Sequence, residues 1–236
     1  MTRVAISGIG VVSPYGLGRE RFWTGVSRGC SATRAITDFD ASPFPCRVAA
    51  PVPQGLSIED ALTIEGRAEG EPAGRPDPRR YSRASLIAVL AATEAWADAG
   101  LRLNEPGAGV LVGSGAGGID VAERQYEEFF NDGWKRVTPY AIPVSIVGMI
   151  SSEISIALEL HGISHVVSTG CTSSTDAISY ATSLIRAGDA DVILSGGADA
   201  CVTPGMIFGF SKMRAVSTAH NDRPAVPTRG AIHARR

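Results

Sequence analysis

Apolar residues fall along this chain in short continuous runs separated by longer stretches of helical spacing. The runs at residues 3–7, 109–112, 165–169 and 191–195 are unbroken rather than alternating, which is the pattern of strands buried on both faces. Between them, Ser82 predicts an N-cap for a helix over 83–99, whose Leu86, Val89, Leu90, Thr93 and Trp96 share one face and which Gly100 closes. A short helix is predicted over 19–28, with Phe22, Trp23 and Val26 on one side and Trp23 assigned to the core. Residues 146–160 are apolar nearly all round and predict a helix buried on most sides. A further helix follows over 172–186, with Ile178, Ala181, Leu184 and Ile185 at helical spacing and Gly188 as its stop, and another spans 204–213. Strands separated by helices, each strand a continuous apolar run, imply an α/β fold with a mostly parallel sheet covered on both faces.

Two glycine-rich stretches follow strands. Gly8-Ile9-Gly10 reads as a tight turn, but the third glycine of a dinucleotide-binding G-x-G-x-x-G is Ser13, followed by Pro14, so no helix opens where a pyrophosphate needs one. The run from Gly113 to Gly118 lets a backbone or ligand approach closely, and a phosphate cradle is the disfavoured reading of it. Residues 43–80 are rich in Pro, Gly, Glu and Arg, with almost no large apolar residue from 65 on, and read as a surface excursion.

Composition narrows the class. A chain of 236 residues, 44% hydrophobic and 19% charged, suits one sizeable α/β domain. The net charge of −2 gives no general attraction to nucleic acid or an anionic membrane, and no apolar run approaches the roughly 20 residues that span a bilayer. Cys30, Cys46, Cys171 and Cys201 lack C-x-x-C spacing and histidines at ligand distance, so they read as reduced thiols. With no leader-like N-terminus, a cytoplasmic location is expected.

One cysteine has a setting of its own. Cys171 lies where an apolar strand, a glycine and a helix meet, and the unpaired N–H groups at a helix start favour thiolate over thiol. A thiolate is the nucleophile of covalent acyl transfer. Residue type and context leave a buried structural thiol equally open.

The wording Val-Ser-Thr-Gly-Cys-Thr-Ser-Ser-Thr-Asp-Ala-Ile, from Val167 to Ile178, resembles the nucleophile motif of the β-ketoacyl-acyl carrier protein synthases, condensing enzymes of the thiolase-like superfamily. The resemblance extends over 4–18, 82–100, 109–118 and 193–199. It implies the N-terminal βαβαβαββ half of a five-layer α-β-α-β-α fold, in a domain over 1–225 followed by an atypical, disordered tail over 226–236. It implies Cys171 as acyl acceptor and Ile146, Met149, Ile150 and Thr172 as substrate contacts. It further implies no bound cofactor, because acyl groups arrive on the phosphopantetheine of an acyl carrier protein. The partners implied are that carrier and a second copy or a ketosynthase-like subunit, for fatty acid or polyketide synthesis. The basic cluster of Arg79, Arg80 and Arg83 is a surface of the kind that meets an acidic carrier, although a merely solvated patch is the commoner meaning of such residues.

In the family two histidines and a lysine, which serve decarboxylation, stand in the C-terminal half. His165 is roughly 20 Å from Cys171 along an extended strand, and His161 is farther. His220 and His233 are weak substitutes, and Asp176 reads as a helix N-terminal charge. The resemblance fails beyond about Asn221, which leads to the expectation of a truncated product, inactive in condensation and prone to aggregate through an exposed apolar face. The competing expectation is a non-enzymatic structural partner of a complete ketosynthase; the presence of Cys171 argues only against the chain-length-factor kind of such a subunit, which typically lacks the nucleophile. A thiolase acting on coenzyme A substrates shares the fold but not this wording around the cysteine.

Overall fold

The structure, a computed structural model, describes residues 3–63 and 77–224. Its centre is a three-stranded parallel sheet in the order β6-β5-β7. Before it in the chain come two small antiparallel ribbons, β1 (Val12–Ser13) with β2 (Gly16–Leu17) and β3 (Arg34–Ala35) with β4 (Val48–Ala49), and helix α1 (Arg19–Ser27). Then follow α2 (Arg83–Asp98), β5 (Gly109–Gly113), α3 (Ile119–Asp132), the short α4 (Ala141–Ser145), α5 (Met149–Leu158), β6 (Ser164–Val167), α6 (Ser173–Ala187), β7 (Ile193–Gly197) and α7 (Pro204–Lys212).

β5 is buried at every position because the sheet is covered on both sides. Its residues alternate between faces: Val110 and Val112 join the larger core with Ala88, Val89, Ala92 and Trp96 of α2 and Ile150, Ile154 and Leu158 of α5, whereas Leu111 packs with Ala177 and Ala181 of α6. The register Val112↔Val166 and Val112↔Gly196 ties both neighbours to this strand. Ser82 caps α2 as its sequence predicts, its hydroxyl accepting from the Ser85 N–H at 3.1 Å. Gly188 ends α6 in the left-handed conformation, φ 83°.

Several sequence expectations are corrected. Residues 3–7 form no strand; Ile6 is 84% exposed, and the segment runs beside α2 instead, with the Ile9 N–H donating to Asp98 and the Val11 N–H to Glu94 at 2.7 Å. Gly8 and Gly10 serve that approach rather than a turn, since a Cβ at either would overlap the α2 backbone at Ala95 and Ala91. Trp23 is 66% exposed, because α1 packs through Gly25 against the ring of Tyr15, and that small contact leaves its large side chains outward. The helix expected over 146–160 begins only at Met149, with Ile146 and Ile156 exposed. Helix α3 was not anticipated; its large apolar residues, Tyr126, Phe129 and Phe130, face outward, and only Val121 and Gln125 are buried.

The expected excursion over 43–80 is anchored where it is described. Ile58 enters the main core, Phe44 packs against Ile36 and Ile207, and Asn221 holds its start by accepting from Arg47 N and donating to Pro45 O. Residues 64–76 and the tail over 226–236 with His233 lie outside the described residues.

Candidate functional site

β6 ends at Val167, and a single 3-10 turn, Gly170–Thr172, joins it to α6. Gly170 takes φ 68°, a conformation suited to glycine, and this reverses the chain so that Cys171 emerges exposed just before the helix. Four side chains hold the reversal. The Ser173 hydroxyl donates to Gly170 O at 2.6 Å and accepts from Thr169 N–H at 3.0 Å. The Thr169 hydroxyl donates to Asp176 Oδ2 at 2.5 Å, and Thr172 Oγ1 lies 3.1 Å from Thr169 O and 3.3 Å from Asp176 Oδ2. An exposed thiol on a braced strand-to-helix turn suits attack on an electrophile delivered from outside, not structural filling.

A second turn lies under the first. Gly113 ends β5 so close to α6 that a Cβ there would overlap the Ser173 backbone, and Ser114, wholly buried, continues it. Asp199, just past β7, accepts from the Ser114 hydroxyl at 2.9 Å, from Gly115 N–H at 3.1 Å and from Ala116 N–H at 2.9 Å. The amides that a phosphate would need are therefore already taken by a carboxylate, which disposes of the phosphate-cradle reading. Cys201 lies beyond Asp199. Burial, followed by the negative charges of Asp199 and Cys171, pushes its thiol up to about 11, so it is held as the protonated, unreactive form near neutrality.

The candidate substrate contacts separate. Ile146 is 53% exposed and Met149 half-buried, while Ile150 is core at 1% exposed, packed with α2 and β5. Thr172 stands beside Cys171, with its hydroxyl engaged in the Thr169–Asp176 network. His165 is exposed on β6 and His161 exposed before it, so neither is part of the turn. Asp176 falls in the first turn of α6, as read from the sequence, but it also braces the nucleophile turn. Asp199 and Ser114 have no counterpart among the site residues expected from the sequence, where the glycines beside them are the only signal, whereas Ser173 falls within the motif read around Cys171.

Each arginine of the basic cluster has a partner within the chain, although the Arg79 side chain stays 73% exposed and that of Arg80 42%. Arg79 pairs with Asp77 at 2.8 Å and lies over the Tyr140 ring, Arg80 reaches Glu153 at 3.2 Å, and Arg83 donates to the carbonyls of Val52 and Pro53. Among the described residues no group of His, Cys, Asp and Glu is arranged to hold a metal ion, and no helix is long and apolar enough to cross a membrane.

Comparison with known proteins identifies the family of the chain. The family model described as "Beta-ketoacyl synthase, N-terminal domain" matches residues 1–229. The chain is 35% identical over 230 residues to 3-oxoacyl-[acyl-carrier-protein] synthase 2 of Coxiella burnetii, covering 96% of this chain and 52% of that protein. It is 36% identical over 245 residues to the tetracenomycin polyketide synthase ketoacyl synthase alpha subunit of Streptomyces glaucescens, again covering 96% of this chain and 52% of the relative. The ishigamide ketosynthase/chain length factor superimposes with a TM-score of 0.76 at 28% identity, over 90% of this chain and 51% of that one, which shows the thiolase-like α/β fold. The chain thus spans about half the length of the curated relatives it matches. A cysteine raised on a glycine turn between β6 and α6, in a chain that matches this family model nearly end to end, places the protein in the β-ketoacyl synthase family, with the chain carrying the family's N-terminal domain.

Proposed function

We propose that this chain supplies the acyl-accepting half of a β-ketoacyl synthase of fatty acid or polyketide synthesis. Cys171 attacks the thioester carbonyl of an acyl group carried on an acyl carrier protein. The new carbon–sulfur bond forms as the bond to the carrier's phosphopantetheine sulfur breaks, and the proton from Cys171 leaves on that carrier thiol. In the second half-reaction a malonyl thioester loses carbon dioxide, its carbanion attacks the Cys171 acyl carbonyl, and the cysteine sulfur departs with the electron pair. Stabilising that carbanion needs hydrogen-bond donors. The family resemblance assigns them to a C-terminal half, which lies beyond the half-length of the relatives that this chain matches.

The observation that carries this reading is the exposed Cys171 on a braced turn ahead of α6. The carrier as partner is supported by the name of the Coxiella relative. A second copy or a ketosynthase-like subunit as further partner is supported by the exposed Phe130, Trp134, Ile142 and Ile146 on one stretch of chain, and by the ketosynthase/chain length factor pairing named for the structural neighbour. The test is intact mass spectrometry of the full chain after incubation with an acyl-carrier thioester. A single acyl adduct that Cys171→Ala abolishes is expected. An unchanged mass, or an adduct that persists in the variant, overturns the reading.

A further inference from the structure

The turn that carries Cys171 does not stand on its own network alone. Gly115 lies against Gly170, so that a Cβ on Gly115 would meet Gly170 O at 3.4 Å, and the Ser114 N–H donates to Val167 O at 3.1 Å, at the end of β6. The loop from Ser114 to Gly117 is thus the floor of the nucleophile turn. What shapes that floor is one carboxylate. Asp199 gathers the Ser114 hydroxyl and the N–H groups of Gly115 and Ala116, and Ser114 Oγ in turn accepts from Gly117 N–H at 3.0 Å. Asp199 is itself placed by the sheet, because the adjoining Ala198 N–H donates to Gly113 O at 3.1 Å. The chain of contact therefore runs from β7 through Asp199 to the glycine loop, and from the loop to Gly170 and Cys171.

We propose that Asp199 is a positioning residue for Cys171, acting through the glycine-rich loop that it ties down. A carboxylate suits the task because it accepts several converging N–H and O–H groups at once, and charge-assisted bonds of this kind are stronger than neutral ones. It touches no reacting atom. Its effect is to keep the floor rigid, so that the cysteine meets an incoming carbonyl at a constant height and angle, to which covalent attack is sensitive. The inference rests on the reading of Cys171 as the acyl acceptor.

The experiment uses the full chain as wild type, Asp199→Asn and Ser114→Ala. Asn keeps the shape but turns one acceptor into a donor facing the same N–H groups. Ser114→Ala leaves the carboxylate and removes the hydroxyl that links it to Gly117. Hydrogen exchange is read over peptides covering 113–118 and 167–173, and acylation of Cys171 by an acyl-carrier thioester is timed by mass. In Asp199→Asn both peptides exchange faster together and acylation slows about tenfold, with Ser114→Ala showing the same pattern more weakly. Faster exchange over 113–118 with 167–173 unchanged overturns the proposal, as does acylation at the wild-type rate in a variant whose loop has loosened. If Asp199→Asn does not fold, Ser114→Ala decides by the same two readings. A wild type that is never acylated sinks the acyl-acceptor reading, whereas the exchange of 167–173 still judges the link between Asp199 and the turn.

Discussion

Thr169 donates its hydroxyl to the Asp176 carboxylate at 2.5 Å, closing a loop of chain that has Cys171 at its crest. The strand end and the first turn of α6 are thereby latched, and Thr172 adds a second hydroxyl to the same oxygen. Asp176→Ala is expected to lower the acylation rate of Cys171 several-fold while costing the fold less than about 1 kcal/mol, since the bonds lost are exposed. Timed acylation beside a thermal melt separates the two effects. A melt that collapses in step with activity contradicts the latch.

Two glycines at the end of β5 should answer differently to a methyl group. At Gly113 a Cβ overlaps the Ser173 backbone, so Gly113→Ala forces β5 and α6 apart at the heart of the sheet. A loss of more than about 3 kcal/mol, or failure to fold, is expected. At Gly115 the nearest atom to such a Cβ is Gly170 O at 3.4 Å, an ordinary contact, so Gly115→Ala should fold. Urea unfolding of the pair checks the contrast.

The thiols differ in reach of base. Cys201, raised to about 11 by burial and neighbouring negative charge, is about 1% or less thiolate at pH 8 and gains reactivity roughly tenfold per pH unit towards its pKa. Because its folded pKa lies above that of the unfolded chain, its contribution to stability is complete below the unfolded value and is lost as pH rises through about 11. Iodoacetamide at pH 8, with peptide mapping, should label exposed Cys30 and Cys171 and spare Cys201 until the chain is denatured.

Arg80 reaches down to Glu153, a carboxyl only 1% exposed on α5. Burial raises the Glu153 pKa, and Arg80 opposes that rise. Removing the arginine in Arg80→Ala leaves the buried Glu153 carboxyl without its cation, with the Tyr81 hydroxyl as remaining partner, a loss of about 2 kcal/mol. As pH falls through the folded pKa of Glu153, which lies above its unfolded value and climbs further without Arg80, the carboxyl takes up a proton and the deficit shrinks. Melts of wild type and variant at pH 7 and pH 5 should converge; a deficit independent of pH assigns the loss to packing instead.

The amino-acid order by itself determined the strand–glycine–cysteine–helix succession, the cap at Ser82, the stop at Gly188 and the parallel sheet, because each rests on local periodicity or on a residue with a special backbone preference. It also determined the family, through the wording around Cys171. Only the tertiary structure decided which apolar residues are core. Trp23 is outward because Gly25 makes the contact of α1 with Tyr15, and Ile150 is inward because α2 covers it. It decided likewise the partners of Arg79, Arg80 and Arg83 within the chain. Above all it brought Asp199, past the end of β7, to the glycine loop at the end of β5, which lies beside the Cys171 turn. Such a juxtaposition arises from the pairing of parallel strands across the sheet, and no local pattern in the sequence records which strand ends will meet.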